Sequence, residues 1–309
     1  MKYRQISEMA TYTVILFENT GITMNKMIFS RYIFRLSVIL ACNTAINIAT
    51  AASFTGSSVP GGVAVVDLGV TSEPKPQARY GSKNIMVISQ DGHWKGLVGL
   101  SLKTLPGDYI VSYQTEKDKG ISKEVTIRVE PKSYPEQRIN VKQKKYVSPN
   151  EEQLVRIKKE KKHMGELFKT WRDTDVSVDM SWPVDGPLSS PFGLRRFFND
   201  QPRNPHSGID IAAPKGTDIL LPVDGQVIDT GDYYFNGKTV FVDHGQGMIS
   251  MFNHMSKITV KPGDKLKRGD KIGEIGKTGR VTGPHLHWSL SLNEVRVDPM
   301  LFLPEQKKK

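Results

Sequence analysis

The sequence predicts a mostly β protein with an N-terminal β-sandwich-like domain, a helical linker and a C-terminal domain built on a compact antiparallel β-sheet. Three observations carry this. Short apolar runs separated by turn residues repeat from about Gly61 to Asn140. One capped amphipathic stretch follows near residues 148–171. From Trp182 to Leu303 the short runs resume with many glycines between them. The expected division is 1–52 as N-terminal extension and signal peptide, 53–140 as sandwich, 141–181 as basic helical linker, 182–303 as C-terminal domain and 304–309 as basic tail.

The N-terminal segment reads as an export signal. Lys26, Arg31 and Arg35 precede an apolar run from Leu36, and Ala49-Thr50-Ala51 supplies a small-residue cleavage pattern, with cleavage near Ala51 or Ala52. Residues 1–23 fit no such pattern, so translation is expected to begin at Met24 or Met27. Two alternatives stay open: an uncleaved anchor, for which Asn43 and Asn47 interrupt the run, or lipidation at Cys42. After cleavage no stable membrane span is expected. Cys42 is the only cysteine, so the mature chain has no thiolate, and any metal must be held by His, Asp or Glu.

The sandwich is read from "VAVVDLG", "NIMVIS", "WKGLVGLSL", "YIVSYQT" and "EVTIRVE". Asp91-Gly92 marks a tight hairpin. Tyr109, Val111 and Tyr113, like Val125, Ile127 and Val129, alternate so that one face of each strand packs inward. Nothing here looks catalytic, His93 included; the domain is expected to control access to a site elsewhere.

The helix is expected to start at Ser148-Pro149-Asn150-Glu151, with Ser148 as N-cap and Pro149 first in the helix. Leu154, Ile157, Met164, Leu167, Phe168 and Trp171 form its apolar stripe. The opposite face is basic and reads as a solvated linker, with His163 given no role. The chain's net charge of +11 favours an anionic partner. No recognition helix, aromatic RNA-binding signature or zinc-finger spacing points to nucleic acid.

"DGQVIDTG", "KTVFVDHG", "GMISMFNHM" and "GDKIGEIGKTG" give the C-terminal sheet. Five of the chain's 7 histidines lie in this part: His206, His244, His254, His285 and His287. In "RNPHSGIDIAAPKGT", Pro205 and Gly208 disfavour a helix. A straight strand would hold His206 and Asp210 about 13 Å apart. They can share an ion only if Ser207-Gly208 bends the chain; otherwise the segment is a surface loop. "GPHLHWSL" puts His285 and His287 on one face of a strand. With His254 in "MFNHMS", these residues offer the ligand types zinc accepts.

At these residues the chain resembles the lysostaphin-like, or LytM-type, zinc metallopeptidases that cut the peptide part of bacterial peptidoglycan. The likeness runs from Trp182 to Leu303 through "SSPFGLR", "HSGIDIAAPKGT", "VFVDHGQG", "FNHMSKI", "TGPHLHW" and "VDPMLFL". It implies one Zn2+ held by His206, Asp210 and His287, with His285 and His254 as catalytic histidines that do not bind it. Phe252 and Met255 stand where members commonly carry Tyr and Leu, and His244 reads as structural. Three protein ligands leave a fourth position open for water.

The expectation is therefore an exported, periplasmic or cell-surface endopeptidase acting on peptidoglycan peptides, on D,D cross-links if the envelope is Gram-negative. A regulatory or adaptor protein is a further possible partner. Two alternatives remain at this point: a LytM-domain regulator that activates a cell-wall amidase, and a bacteriolytic enzyme that cuts glycine bridges.

Overall fold

A computed structural model describes residues 53–118, 120–139, 149–198, 201–202 and 204–305. The signal-peptide reading, Cys42 and Ser148 lie outside the described residues.

The N-terminal strands are β1 (Val63–Val70), β2 (Gln77–Tyr80), β3 (Lys83–Asn84), β4 (Met86–Gln90), β5 (His93–Gly99), β6 (Gly107–Gln114) and β7 (Lys123–Val129). They form two antiparallel sheets, in the order β1-β5-β4 and β3-β2-β6-β7. The inward residues of both sheets, among them Val66, Leu68, Val87, Val98, Val111, Ile127 and Val129, share one core, which makes the unit a sandwich. The β4–β5 hairpin turns at Asp91 and Gly92, with φ of 52° and 76°, the left-handed pair that a two-residue connection requires. Strands β2 and β3 are short and polar, and no sequence run marks them.

Strand β8 (Glu136–Ile139) leaves this unit, and helix α1 (Glu151–Leu167) follows. The N-cap of α1 is Asn150, not Ser148. The Asn150 side chain accepts from Gln153 N–H and the Gln153 side chain accepts from Asn150 N–H, a complete capping box two residues later than the sequence suggests. The expected apolar stripe is only half used. Leu154 is 51% exposed, whereas Met164, Leu167 and Phe168 pack on Tyr233, Phe241, Ile249 and Met251 of the C-terminal sheet. Polar bonds fasten the middle of the helix: Arg156 Nη2 donates to Asp232 O at 2.7 Å, and Tyr234 N–H donates to Glu160 Oε2 at 2.9 Å. The helix therefore lies against a sheet face instead of standing free as a solvated linker.

The C-terminal strands are β9 (Leu188–Ser190), β10 (Arg195–Phe198), β11 (Gln201–Pro202), β12 (Ile209–Ala212), β13 (Asp218–Leu220), β14 (Gly225–Tyr233), β15 (Gly237–Gly245), β16 (Met248–Met255), β17 (Lys257–Ile258), β18 (Lys265–Leu266), β19 (Lys271–Glu274), β20 (His285–Leu292) and β21 (Val295–Val297). The main sheet runs β18-β14-β15-β16-β20-β12-β9, with β21 paired to the end of β20. Alternation along β20 divides its side chains. Leu286, Trp288, Leu290 and Leu292 enter the large core, and His285, His287, Ser289 and Ser291 take the opposite face. Trp288 is fully buried and stacks on Phe252 with a ring separation of 6.2 Å.

The sandwich is not a detached module. Val63, Met86 and Leu97 belong to the large core of the C-terminal sheet. Gly99 N–H donates to Asn293 Oδ1 at 2.7 Å, Asn293 Nδ2 returns a bond to Gly99 O, and Val87 N–H donates to Gln246 Oε1. Asn293 follows the far end of β20, roughly 26 Å of strand from His285. The segment after the sandwich comes closer to the histidines, because β8 pairs in parallel with β10.

His244 is structural, as expected, but it lies within β15 and in the core, not in a turn after the strand. Its Nδ1 donates to Asp224 O, and its Nε2 meets Ser250 Oγ at 2.8 Å, a hydroxyl that also accepts from Trp288 Nε1. Burial pushes its pKa down from 6.5 to about 4. The unfolded chain therefore takes up this proton first, so the stabilising contribution is complete above pH 6.5 and is lost as pH falls towards 4. Between pH 7 and 5 this residue should cost about 2 kcal/mol. In urea titrations at the two pH values, His244→Gln is expected to be less stable at pH 7 but to show a shallower pH dependence than the parent. An unchanged slope would contradict the neutral, buried state.

Candidate metal centre

His206 precedes β12 and Asp210 lies within it, so the chain does bend between them. Gly208 makes the bend possible: a Cβ there would sit 2.4 Å from Trp288 O and 2.9 Å from His287 Nε2, on the neighbouring strand β20. Asp210 stands opposite His287 in the β12–β20 register. Three atoms converge as a result. His206 Nε2 is 3.0 Å from Asp210 Oδ1 and 3.0 Å from His287 Nδ1, and His287 Nδ1 is 2.8 Å from Asp210 Oδ1. Among the described residues these three form a group of side chains that could hold a metal ion.

The outward ring atoms explain the convergence. His206 Nδ1 donates to Pro191 O at 2.9 Å; a carbonyl only accepts, so the neutral ring keeps its lone pair on Nε2, facing inward. His287 Nε2 meets Ser289 Oγ at 2.9 Å, which can take its N–H and leave Nδ1 with the inward lone pair. Two imidazole lone pairs and a carboxylate oxygen within 3.0 Å repel one another unless a proton or a cation lies among them. Two His and one Asp fit a divalent ion of the zinc type.

Charge at the centre follows burial and these contacts. Burial alone would raise the pKa of Asp210, but a proton lying between its Oδ1 and the His206 and His287 nitrogens makes hydrogen bonds to the carboxylate that outweigh burial and hold the carboxyl well below the usual range. Burial lowers the pKa of His287, against the pull of Asp210. Arg196, on β10, donates to Ser190 Oγ at 2.7 Å and lies 3.8 Å from Asp210 Oδ2, steadying the second carboxylate oxygen.

The other two histidines stand beside the cluster and outside it. His285 Nδ1 donates to Gly283 O, and its Nε2 is 3.8 Å from Asp210 Oδ1. His254 Nδ1 donates to Thr278 O at 3.0 Å. The His254 ring is 4.9 Å from His285 and 6.0 Å from His287, centre to centre. The backbone of His254 is left-handed, with φ of 66°, a conformation a non-glycine residue holds only under constraint. The constraint includes the bonds from His254 N–H to Asn236 O and from Thr278 N–H to His254 O. Burial, then the neighbouring His287 and His285, push its pKa down to about 3, so its imidazole is neutral at neutral pH.

All five residues singled out in the sequence thus meet at one place. The orienting acceptors Pro191, Ser289, Thr278 and Gly283 were not singled out: backbone carbonyls carry no signature, and Ser289 is marked only by its place in the alternating row on β20. A cavity of about 580 Å³ opens on His254 and His287, and Met164, Gly165 and Phe168 of the α1 region form part of its wall. Sequence reasoning gave these helix residues no place in the site.

Comparison with known proteins bears on the family to which the chain belongs. The model of "Peptidase family M23" matches residues 204–299, and that of "Peptidase family M23 N-terminal domain" matches 56–132. Over 139 residues the chain is 42% identical to peptidoglycan DD-endopeptidase ShyA of Vibrio cholerae, covering 44% of this chain and 32% of that protein. It is 36% identical over 113 residues to the DD-carboxypeptidase/endopeptidase Mpg of Neisseria meningitidis, covering 37% of this chain and 26% of that one. The chain thus spans about a third or less of the length of these curated relatives. A crystal structure from Pseudomonas aeruginosa assigned to peptidase M23 superposes with a TM-score of 0.67 at 42% identity, over 80% of this chain and 95% of that one. With a relative of that identity matched along nearly its whole length, and with both family models aligned to the sandwich and the histidine-bearing domain, the chain belongs to peptidase family M23.

Proposed function

We propose that the chain is an exported, zinc-dependent endopeptidase that hydrolyses peptide bonds in peptidoglycan, and that D,D cross-links are its substrate. The observation that carries this is the meeting of His206 Nε2, Asp210 Oδ1 and His287 Nδ1 within 3.0 Å, with two further histidines beside them. The names of the relatives ShyA and Mpg support the substrate class. Zinc in such a site acts as a Lewis acid and makes water nucleophilic near neutral pH.

In this reading His206, Asp210 and His287 hold the ion. His254 and His285 face the reacting bond through Nε2, because the Nδ1 of each is committed to a carbonyl. A neutral imidazole at that atom takes the proton released as water attacks, then delivers it to the leaving amine. After that first transfer, the same ring carries positive charge beside the developing oxyanion and stabilises it. The amidase-activator alternative describes LytM domains that lack the ligands, and this chain has all three.

Export rests on the signal-like segment before Ser53; among the described residues no helix is long and apolar enough to cross a membrane. The test is to digest purified peptidoglycan of both cross-link types with the zinc-loaded protein and to identify the fragments by mass spectrometry. Conversion of D,D-linked dimers to monomers, blocked by a chelator, is expected. Release of intact stem peptides from the glycan would instead indicate an amidase, and intact dimers would overturn the reading.

A further inference from the structure

The cavity beside the histidines is one-sided in charge. Among the described residues, Lys161, Arg280 and Arg296 line it and no Asp or Glu does. Arg296 is the unusual one. It lies on β21 directly opposite Ser291, and so on the same sheet face as His287 and Ser289. Its guanidinium rests 3.4 Å from the centre of the Phe168 ring. Its Nε is buried without a hydrogen-bond partner, as is Ser291 Oγ across the ladder, and among the described residues no carboxylate pairs with it. Arg296 is half-buried as a whole, but a desolvated guanidinium nitrogen without a partner is costly, and an acceptor on a ligand would offset that cost.

We propose that Arg296 is a specificity residue: it receives a carboxylate of the substrate peptide in the part of the cleft walled by Phe168. This rests on the peptidase reading above. His287 and Ser291 are four residues apart on one strand, about 13 Å, and an extended peptide advances about 3.3 Å per residue. The bound carboxylate therefore lies within about four residues of the cleaved bond. The planar guanidinium presents a fork of donors that matches a carboxylate, and the Phe168 ring holds its plane in place.

The test uses the zinc-loaded full-length protein and two substrates: cross-linked muropeptide dimers with free carboxylates, and the same dimers with those carboxyls converted to amides. The parent is expected to show a KM higher by about 10- to 100-fold on the amidated dimer, with kcat little changed. Arg296→Gln should show that rise on the free-carboxylate dimer and no further rise on the amide, while retaining its zinc. Equal KM for the parent on both dimers would overturn the proposal. So would an Arg296→Gln variant impaired equally on both, which would make the residue a structural clamp for Phe168. Should Arg296→Gln fail to fold, Arg296→Lys, which keeps the charge, must still discriminate between the two dimers. A parent that cuts neither dimer would overturn the peptidase reading and this inference with it; a parent that cuts both without preference would overturn only the inference.

Discussion

His287→Ala is expected to leave a folded protein without metal and without measurable hydrolysis, its kcat/KM lowered by more than about a thousandfold. The residue supplies one of three converging donors, and its loss leaves His206 and Asp210 as a two-ligand site. An ion that polarises its substrate stabilises the transition state by several kcal/mol, which corresponds to that factor or more. The fold should survive, because the Trp288 side of β20 carries the core and the His287 side does not. Circular dichroism at matched concentration would separate loss of metal from loss of structure. Residual activity above a tenth of the parent's would mean that the ion is held elsewhere.

His254→Ala should give the opposite division: metal retained, kcat down by about 10²- to 10⁴-fold, KM little altered. The reason is positional. His254 Nδ1 is held by Thr278 O, and its ring stands 6.0 Å from that of His287, near enough to serve the reacting groups without joining the cluster. Its left-handed backbone is part of the same arrangement, since the bond from His254 N–H to Asn236 O fixes where the ring points. A variant that lost both metal and activity would place His254 among the ligands.

Parts of the site are local patterns in the chain, while the division into ligands and neighbouring histidines came only from the family resemblance. The spacing of His285 and His287 puts both on one strand face, and the Ser207-Gly208 pair permits the bend that unites His206 with Asp210. The Asp91-Gly92 hairpin and the alternation of Val125, Ile127 and Val129 in β7 follow equally local rules. What escaped depends on contacts between distant positions. The later helix start is the exception, being itself local: Asn150 with Gln153 three residues on forms a second capping box, and it is the one the chain uses. The C-terminal end of the same helix is drawn into the site wall by Phe241 and Met251, some 73 to 83 residues further along the chain. The sandwich joins the C-terminal core through Gly99 and Asn293, separated by 194 residues, which no periodicity reports. Arg296 hides in an ordinary strand, and only its burial against Phe168 distinguishes it.

The central claim is the division of five residues into three ligands and two neighbours. The most direct measurement is zinc content per chain, by plasma mass spectrometry, for His206→Ala, Asp210→Ala, His287→Ala, His254→Ala and His285→Ala purified in parallel after dialysis against trace zinc. The first three are expected to be empty and the last two to hold close to one ion per chain. An empty His285→Ala beside a fully loaded His287→Ala would reverse the assignment and contradict the account.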